Sequence, residues 1–106
     1  MARYNFTAHA AVDLRNIIRH TRQTWGSKQA RRYQQELELS LKRLAALPGM
    51  GRKRQEIAPG VRSFRVAEHI AFFAPRKGGI TILRLLHPSM DVELAFEERR
   101  EKEMGK

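Results

Sequence analysis

The amino-acid sequence predicts an α+β domain in which a helical hairpin packs on a mainly antiparallel sheet. Two long segments within residues 8–47 carry apolar residues at helical spacing, and three segments within residues 61–87 are rich in β-branched and aromatic residues. A short alternating segment, Ala2–Phe6, precedes the helices. The predicted order is therefore β-α-α-β-β-β, with a short helix at the C-terminal end.

The first helix is predicted over Ala8–Trp25, where the apolar residues recur every three or four positions. They are Ala10, Leu14, Ile17, Ile18, Thr21 and Trp25. Thr7 can cap this helix, because a threonine hydroxyl accepts a backbone N–H of the first turn. Gly26 is expected to end it, since glycine reaches the backbone conformations that stop a helix.

The second helix is predicted over Lys28–Leu47, with Ser27 as its expected cap. Its apolar stripe consists of Ala30, Tyr33, Leu37, Leu41, Leu44 and Leu47. Pro48 and the glycines after it end the helix, because proline cannot continue one. The two helices, joined by so short a connection, should form an antiparallel hairpin.

A second, weaker apolar line lies off the buried stripe of this helix. Leu39 and Ala46 fall on the side that also carries Arg32 and Arg43. This line is either a groove for a partner or an exposed leucine of the kind that folded proteins tolerate singly. The sequence leaves both interpretations open.

The second half of the chain predicts strands. An exposed loop is expected from Arg52 to Gly60, and a glycine-containing turn, Arg76–Gly79, joins the last two strands. The predicted strands are Val61–Ala67, His69–Pro75 and Ile80–His87. The last two carry apolar residues on both faces, which is typical of central strands that are covered on both sides.

A final helix is predicted within Met90–Met104, capped by Ser89 and anchored by Leu94 and Phe96. The chain of 106 residues is long enough for one domain, which we place at 1–96. The remaining residues, 97–106, form a charged tail in which acidic and basic side chains cancel.

The net charge is +10, because 21 Lys and Arg outnumber 11 Asp and Glu, and it is spread over the whole predicted fold. Such a surface keeps the protein in solution, fits an acidic protein partner or belongs to a module that binds nucleic acid. The chain has no cysteine, which excludes a disulfide scaffold, a thiolate zinc site and a cysteine nucleophile. No signal peptide or membrane-length apolar run is present, so a cytoplasmic protein is expected.

The sequence predicts no cofactor and no metal ion. The four histidines lie on separate elements without the spacing of metal ligands, and neither a phosphate-binding loop nor a nucleophile-elbow serine motif occurs. One group of residues could support chemistry: Arg62, Arg65, Arg84 and His87. Arginines beside an imidazole would suit RNA cleavage, in which a base removes the ribose 2′-proton and cations stabilise the phosphorane.

Strand parity argues against this grouping. Arg62 and Arg65 are three residues apart, as are Arg84 and His87, so in regular strands each pair points to opposite faces. The alternative interpretation is structural, with Arg84 supporting a carboxylate or a carbonyl and His87 ending its strand.

An ordered set of motifs covers nearly all of residues 4–91. They are Ala11–Leu14 with Ile17; Thr24–Gly26 with Gln29, Ala30 and Tyr33; Leu44, Ala45 and Pro48–Arg52; Gly60–Arg62 with Phe64; His69, Ile70, Phe72 and Phe73; and Ile82, Arg84, Leu86, His87 and Ser89–Asp91. In this order the motifs resemble a known family, the ParE toxins of the RelE/ParE superfamily in bacterial type II toxin–antitoxin systems.

The resemblance implies a RelE/ParE-like fold and a protein that acts on DNA gyrase by protein contact, trapping the cleaved DNA intermediate, rather than an enzyme. It also implies a ParD-like antitoxin that folds on binding and forms a hetero-oligomer with the toxin. Direct binding of nucleic acid is not expected. The residues expected to bind the antitoxin are Arg32, Leu39, Arg43 and Ala46, and those expected to bind the target are Arg62, Arg65, Arg84, His87, Met90 and Asp91.

The same superfamily contains ribosome-dependent mRNA endonucleases of the RelE kind, and this remains the alternative. If it applied, the catalytic residues would be Arg62, Arg84 and His87. Two segments, Trp25–Gly26 and Ser89–Asp91, are more similar to the ParE branch.

Overall fold

The computed structural model describes residues 2–92 and 94–96 of the chain. The elements are β1 (Arg3–Phe6), α1 (Ala8–Trp25), α2 (Ser27–Ala46), a 3-10 turn (Pro48–Met50), β2 (Arg52–Lys53), β3 (Arg62–Val66), β4 (His69–Arg76) and β5 (Gly79–Leu86). Residues 92 and 94–96 are helical and begin the predicted C-terminal helix. The charged tail, 97–106, and the rest of that helix lie outside the described residues.

The sheet has five strands in the order β1-β5-β4-β3-β2. Only β1 runs parallel to its neighbour, and the other three pairings are antiparallel. The predicted class, an α+β fold with a helical hairpin on a mainly antiparallel sheet, is therefore confirmed.

Each face of the sheet carries its own apolar cluster. Helices α1 and α2 cover one face, and its cluster includes Leu37, Leu41, Leu44, Phe73, Ile80, Ile82 and Leu85. The other face is covered by the loop before β3 and by the C-terminal helical segment, and its cluster includes Val61, Phe72, Leu83, Leu86, Ala95 and Phe96. Central strands that are covered on both sides explain why β4 and β5 lack a clean apolar–polar alternation.

A bulge interrupts the pairing of β4 with β5. Phe72 pairs with Arg84 while Phe73 pairs with Ile82, so Leu83 is an extra residue on β5. As a result Ile82 and Leu85 both belong to the cluster under the helices although they are three positions apart. The bulge precedes Arg84, so the parity that separates Arg84 from His87 is unchanged.

Two predicted caps are wrong and one is confirmed. The Thr7 hydroxyl accepts the Ala10 N–H at 3.1 Å, as expected. Ser27 is the first residue of α2, and Gly26 at φ 94° is its cap, because one glycine ends α1 and begins α2. At the C-terminal segment the Asp91 carboxylate accepts the Leu94 N–H at 3.0 Å, while Ser89 bonds to His87 instead.

The structure also differs from the sequence prediction at a few apolar positions and in one strand. Trp25, Leu47 and Leu94 were predicted to be buried but are exposed, Trp25 by 72%. Trp25 is the last residue of α1, and Leu47 lies just beyond the end of α2. The loop predicted from Arg52 contains a two-residue strand, β2, which is too short to leave a pattern in the sequence.

Candidate partner-binding surfaces

One end of the sheet, where β5 ends and β4 begins, is called the exit end below. Here β5 extends beyond β1, which pairs only as far as Ile82. Side chains take the place of the missing strand: the Thr7 hydroxyl donates to the Leu83 carbonyl at 2.9 Å, and the Asp13 carboxylate accepts the Leu85 N–H at 3.0 Å. Helix α1 thus satisfies the open edge of β5.

Arg84 connects three elements at this edge. Its Nε and Nη2 atoms donate to the two carboxylate oxygens of Asp13 at 2.7 and 3.0 Å, and its Nη1 atom donates to the Ala95 carbonyl at 3.2 Å. The side chains of Arg84 and Asp13 are only 12% and 13% exposed. A buried two-point ion pair of this kind holds β5, α1 and the C-terminal segment together. The structural interpretation of Arg84 is the one that this geometry favours.

A hydrogen-bonded group of aromatic side chains lies at the same end. The Tyr33 hydroxyl accepts the Glu68 N–H at 2.9 Å and lies 2.7 Å from His69 Nδ1, to which it can donate its proton. The rings of His69 and His87 meet edge to face, 5.7 Å apart. Because the Ser89 N–H donates to His87 Nδ1 at 3.2 Å, the proton of the neutral His87 ring lies on Nε2.

This environment favours the neutral forms of Tyr33 and His69. Burial is the main reason that the pKa of His69 lies below its ordinary value of 6.5, and the neighbouring His87 lowers it further. Burial likewise raises the pKa of the Tyr33 hydroxyl above 10.0. An uncharged Tyr33–His69 pair therefore joins α2 to the start of β4.

Arg62 and Arg65 lie on opposite faces of β3, as the parity argument predicts. Arg62 donates to the Gly51 carbonyl at 2.7 Å and is half-buried on the face under the helices. Arg65 is exposed, donates to the Ala67 carbonyl at 3.1 Å and lies 3.9 Å from the Glu68 carboxylate.

Arg62, Arg84 and His87 each bond to a different part of the chain. Arg62 and Arg84 each have a structural partner, and His87 is exposed at the end of β5. His69, whose ring meets that of His87, and its partner Tyr33 were not among the candidate site residues. Tyr33 looked like one more residue of a buried stripe, and 36 positions separate it from His69.

The outer face of α2 carries the other predicted surface. Arg32, Leu39, Arg43 and Ala46 are all exposed, and Leu39 is 51% exposed. Since positions seven or four apart share a helix face, these side chains form one line. Beyond β5, Met90 and Asp91 are also exposed.

Metal and membrane sites find no support among the described residues. No group of three or more His, Cys, Asp or Glu there could hold a metal ion. Nor does any helix of the described chain have the length and apolar character to cross a membrane.

Comparison with known proteins places these surfaces in context. The family model described as "ParE toxin of type II toxin-antitoxin system, parDE" matches residues 4–92. The chain belongs to the ParE toxin family. The resemblance found in the ordered motifs is thereby confirmed.

Relatives in this family match over almost their whole length. Toxin ParE of Escherichia coli is 40% identical over 100 residues, which are 93% of this chain and 97% of that protein. Toxin ParE1 of Mycobacterium tuberculosis is 37% identical over 93 residues, covering 87% and 95% of the two chains. A solved chain of the chromosomal ParDE toxin–antitoxin system from P. aeruginosa aligns with a TM-score of 0.68 and 28% identity, over 82% of this chain and 96% of that one.

Proposed function

We propose that this ParE-family chain inhibits DNA gyrase by protein–protein contact and is neutralised by a ParD-like antitoxin. The observation that carries the proposal is the family match over residues 4–92. The similar chain from P. aeruginosa comes from a ParDE toxin–antitoxin system, which supports an antitoxin partner here.

The arrangement of the basic residues supports a protein that is not an enzyme. Cleavage of RNA needs cations placed to stabilise the charge of the transition state. Arg84 is held by Asp13 and the Ala95 carbonyl, and Arg62 by the Gly51 carbonyl. Both guanidinium groups are thus bonded to other parts of the chain, which favours structural roles for them over catalytic ones.

The antitoxin surface is assigned to the outer face of α2. Leu39 offers an exposed apolar side chain, and Arg32 and Arg43 on the same face offer positive charge. An acidic segment that folds on binding could insert apolar side chains beside Leu39 while its carboxylates meet the arginines. Charge complementarity would also speed association.

The gyrase surface is assigned to the exit end. Arg65, His87, Met90 and Asp91 are exposed there. The sequence also suggested Arg62 and Arg84 as target contacts. Their role in target binding would be indirect, because their hydrogen bonds stabilise the strands that carry the exposed residues.

The antitoxin assignment is tested with Leu39→Glu, by measuring the affinity for a ParD-like antitoxin. We expect at least a tenfold loss, because the change places a carboxylate opposite an acidic partner. Val12→Glu is the matched control, since Val12 is an exposed apolar residue of α1. Equal affinities for the two variants would show that the antitoxin binds a different surface.

The gyrase assignment is tested in a supercoiling assay with purified gyrase. The wild-type chain should inhibit supercoiling, and the double variant His87→Ala/Met90→Ala should inhibit it less, with Arg15→Ala on α1 as the control. Cleavage of mRNA in expressing cells, with supercoiling intact, would contradict the proposal and favour the endonuclease alternative.

A further inference from the structure

At the end of the sheet opposite the exit end lies a groove of about 590 Å³, here called the hairpin-end groove. It is lined by β1 and by the tight turn between β4 and β5. Its lining includes three basic side chains, Arg3, Arg76 and Lys77, which come from opposite ends of the sequence. The groove is separate from both surfaces assigned above.

The backbone holds these basic residues together. The Arg3 N–H donates to the Gly78 carbonyl at 2.9 Å, and Arg3 pairs with Gly79 in the parallel ladder. A Cβ atom at Gly79 would overlap the carbonyl group of Arg3, so the two strands can approach this closely only because residue 79 is glycine. Gly78 has φ 80°, which favours glycine in this two-residue turn. The juxtaposition of Arg3 with the turn is therefore built into the fold.

The polar groups of the groove are arranged to donate hydrogen bonds. Within the described residues no ion pair involves Arg3, Arg76 or Lys77, and no acidic residue lines the groove. The Thr81 hydroxyl donates to the Asn5 side-chain oxygen at 2.9 Å, which leaves the Asn5 NH₂ group as a donor. Such a set fits an oxyanion.

None of the large exposed apolar side chains of the described residues lines the groove. Interfaces between proteins centre on exposed apolar or aromatic anchors, whereas phosphate contacts come from Arg, Lys and amide donors. Of the apolar and aromatic side chains in the lining, Ile80 is buried in the core and Tyr4 is partly buried with its ring against that of Phe6. The large exposed apolar side chains of the described chain, among them Trp25 and Leu39, line other surfaces.

We propose that the hairpin-end groove binds the phosphate backbone of duplex DNA through Arg3, Arg76 and Lys77. The choice of duplex DNA rests on the proposed function, since gyrase acts on duplex DNA. The groove then adds a contact with DNA to the contact with gyrase. This differs from the sequence-based expectation of no direct nucleic-acid binding, which treated the positive charge as evenly spread.

The experiment measures the binding of the full chain to a labelled duplex of about 20 base pairs, by fluorescence anisotropy, between about 50 and 200 mM salt. Three phosphate contacts predict a slope of log affinity against log salt of about −2.7. The double variant Arg76→Gln/Lys77→Gln should make the slope shallower, at about −0.9, and weaken binding at least tenfold at the lowest salt. Arg15→Gln/Arg19→Gln removes the same charge from α1 and should leave the slope unchanged.

Three results would overturn the inference: no salt-dependent binding by the wild-type chain, equal losses in the two double variants, or tighter binding of single-stranded RNA of the same length. Thermal unfolding of each variant establishes that it is folded. A supercoiling assay on the same preparations separates the two proposals. Inhibition of gyrase without DNA binding contradicts only the proposal that the groove binds DNA. DNA binding without inhibition contradicts only the proposed function.

Discussion

The polar side chains at the two ends of the sheet differ in the partners that they bind. At the exit end Asp13, Arg84, Tyr33 and His69 bond to one another or to the backbone and hold α1, α2 and the C-terminal segment in place. At the hairpin end the backbone makes the close contacts. The basic side chains there form no ion pair with any described residue.

The difference teaches that a charged residue is informative about function only when its partners are known. Arg84 and Arg76 are the same residue type on neighbouring strands, yet one is the centre of a buried ion pair and the other faces solvent. Substitutions should therefore affect stability at the exit end and binding at the hairpin end, with the turn glycine as the exception.

The largest effect is expected for Gly79→Ala. The new methyl group would overlap the carbonyl of Arg3 and push β1 away from β5, at a cost of more than about 3 kcal/mol. Gly78→Ala is the control, because it meets open space and incurs only the left-handed backbone penalty of about 1 kcal/mol. Urea denaturation measures both, and equal losses would show that β1 tolerates displacement.

Asp13→Ala should have the next largest effect. It leaves the Arg84 guanidinium buried without its carboxylate and removes the acceptor of the Leu85 N–H, at a cost of about 3 kcal/mol. Glu56→Ala breaks an exposed ion pair with Arg54 and should change the free energy of unfolding far less. Similar unfolding midpoints for the two variants would contradict the central role of Arg84.

Tyr33→Phe should cost about 1 to 2 kcal/mol in the free energy of unfolding. It leaves the Glu68 N–H without its acceptor and His69 without its hydroxyl partner. Tyr4→Phe provides the comparison, because the Tyr4 hydroxyl makes no hydrogen bond within the described chain. A loss no larger than that of Tyr4→Phe would show that the Tyr33 hydroxyl does not stabilise the exit end.

A smaller effect is expected from pH. Because burial and then His87 lower the pKa of His69 in the folded protein, the unfolded chain binds more protons just below pH 6.5. The stability that the neutral ring contributes is therefore present above pH 6.5 and is lost as the pH falls toward the folded-state pKa. Glu68 and Asp13 oppose this shift, whereas Arg65 adds to it.

The measurement is an NMR titration of the imidazole signals. His69 should titrate below free histidine, and His87→Gln should raise its pKa by removing the neighbouring positive charge. A His69 midpoint at or above that of free histidine would contradict this account of the exit end.

The smallest change in stability is expected for Arg76→Gln, within about 0.5 kcal/mol. Its guanidinium has no ion-pair partner in the described residues, so no interaction is lost. Thermal unfolding checks this, and a marked loss would mean that the hairpin end depends on its side chains after all.

Local patterns predicted the helices, the central strands and the Thr7 cap, because helical spacing and capping act over a few residues. They could not predict the exit end, where Asp13 meets Arg84 across 71 positions. A sequence shows that an arginine is present but not which carboxylate neutralises it. The sequence therefore offers candidate residues by type, but their structural partners depend on the packing of α1 against β5.

The parallel pairing of β1 with β5 also governs when the protein can fold during synthesis. The helical hairpin forms from neighbouring segments, but β1 finds its partner only after residues 79–82 have been made. Thr7 and Asp13 likewise form their hydrogen bonds to Leu83 and Leu85 only after those residues have been made. Contacts of such sequence separation form late. A chain cut short before β5 therefore lacks the partner strand of β1 and the backbone groups that Thr7 and Asp13 bind.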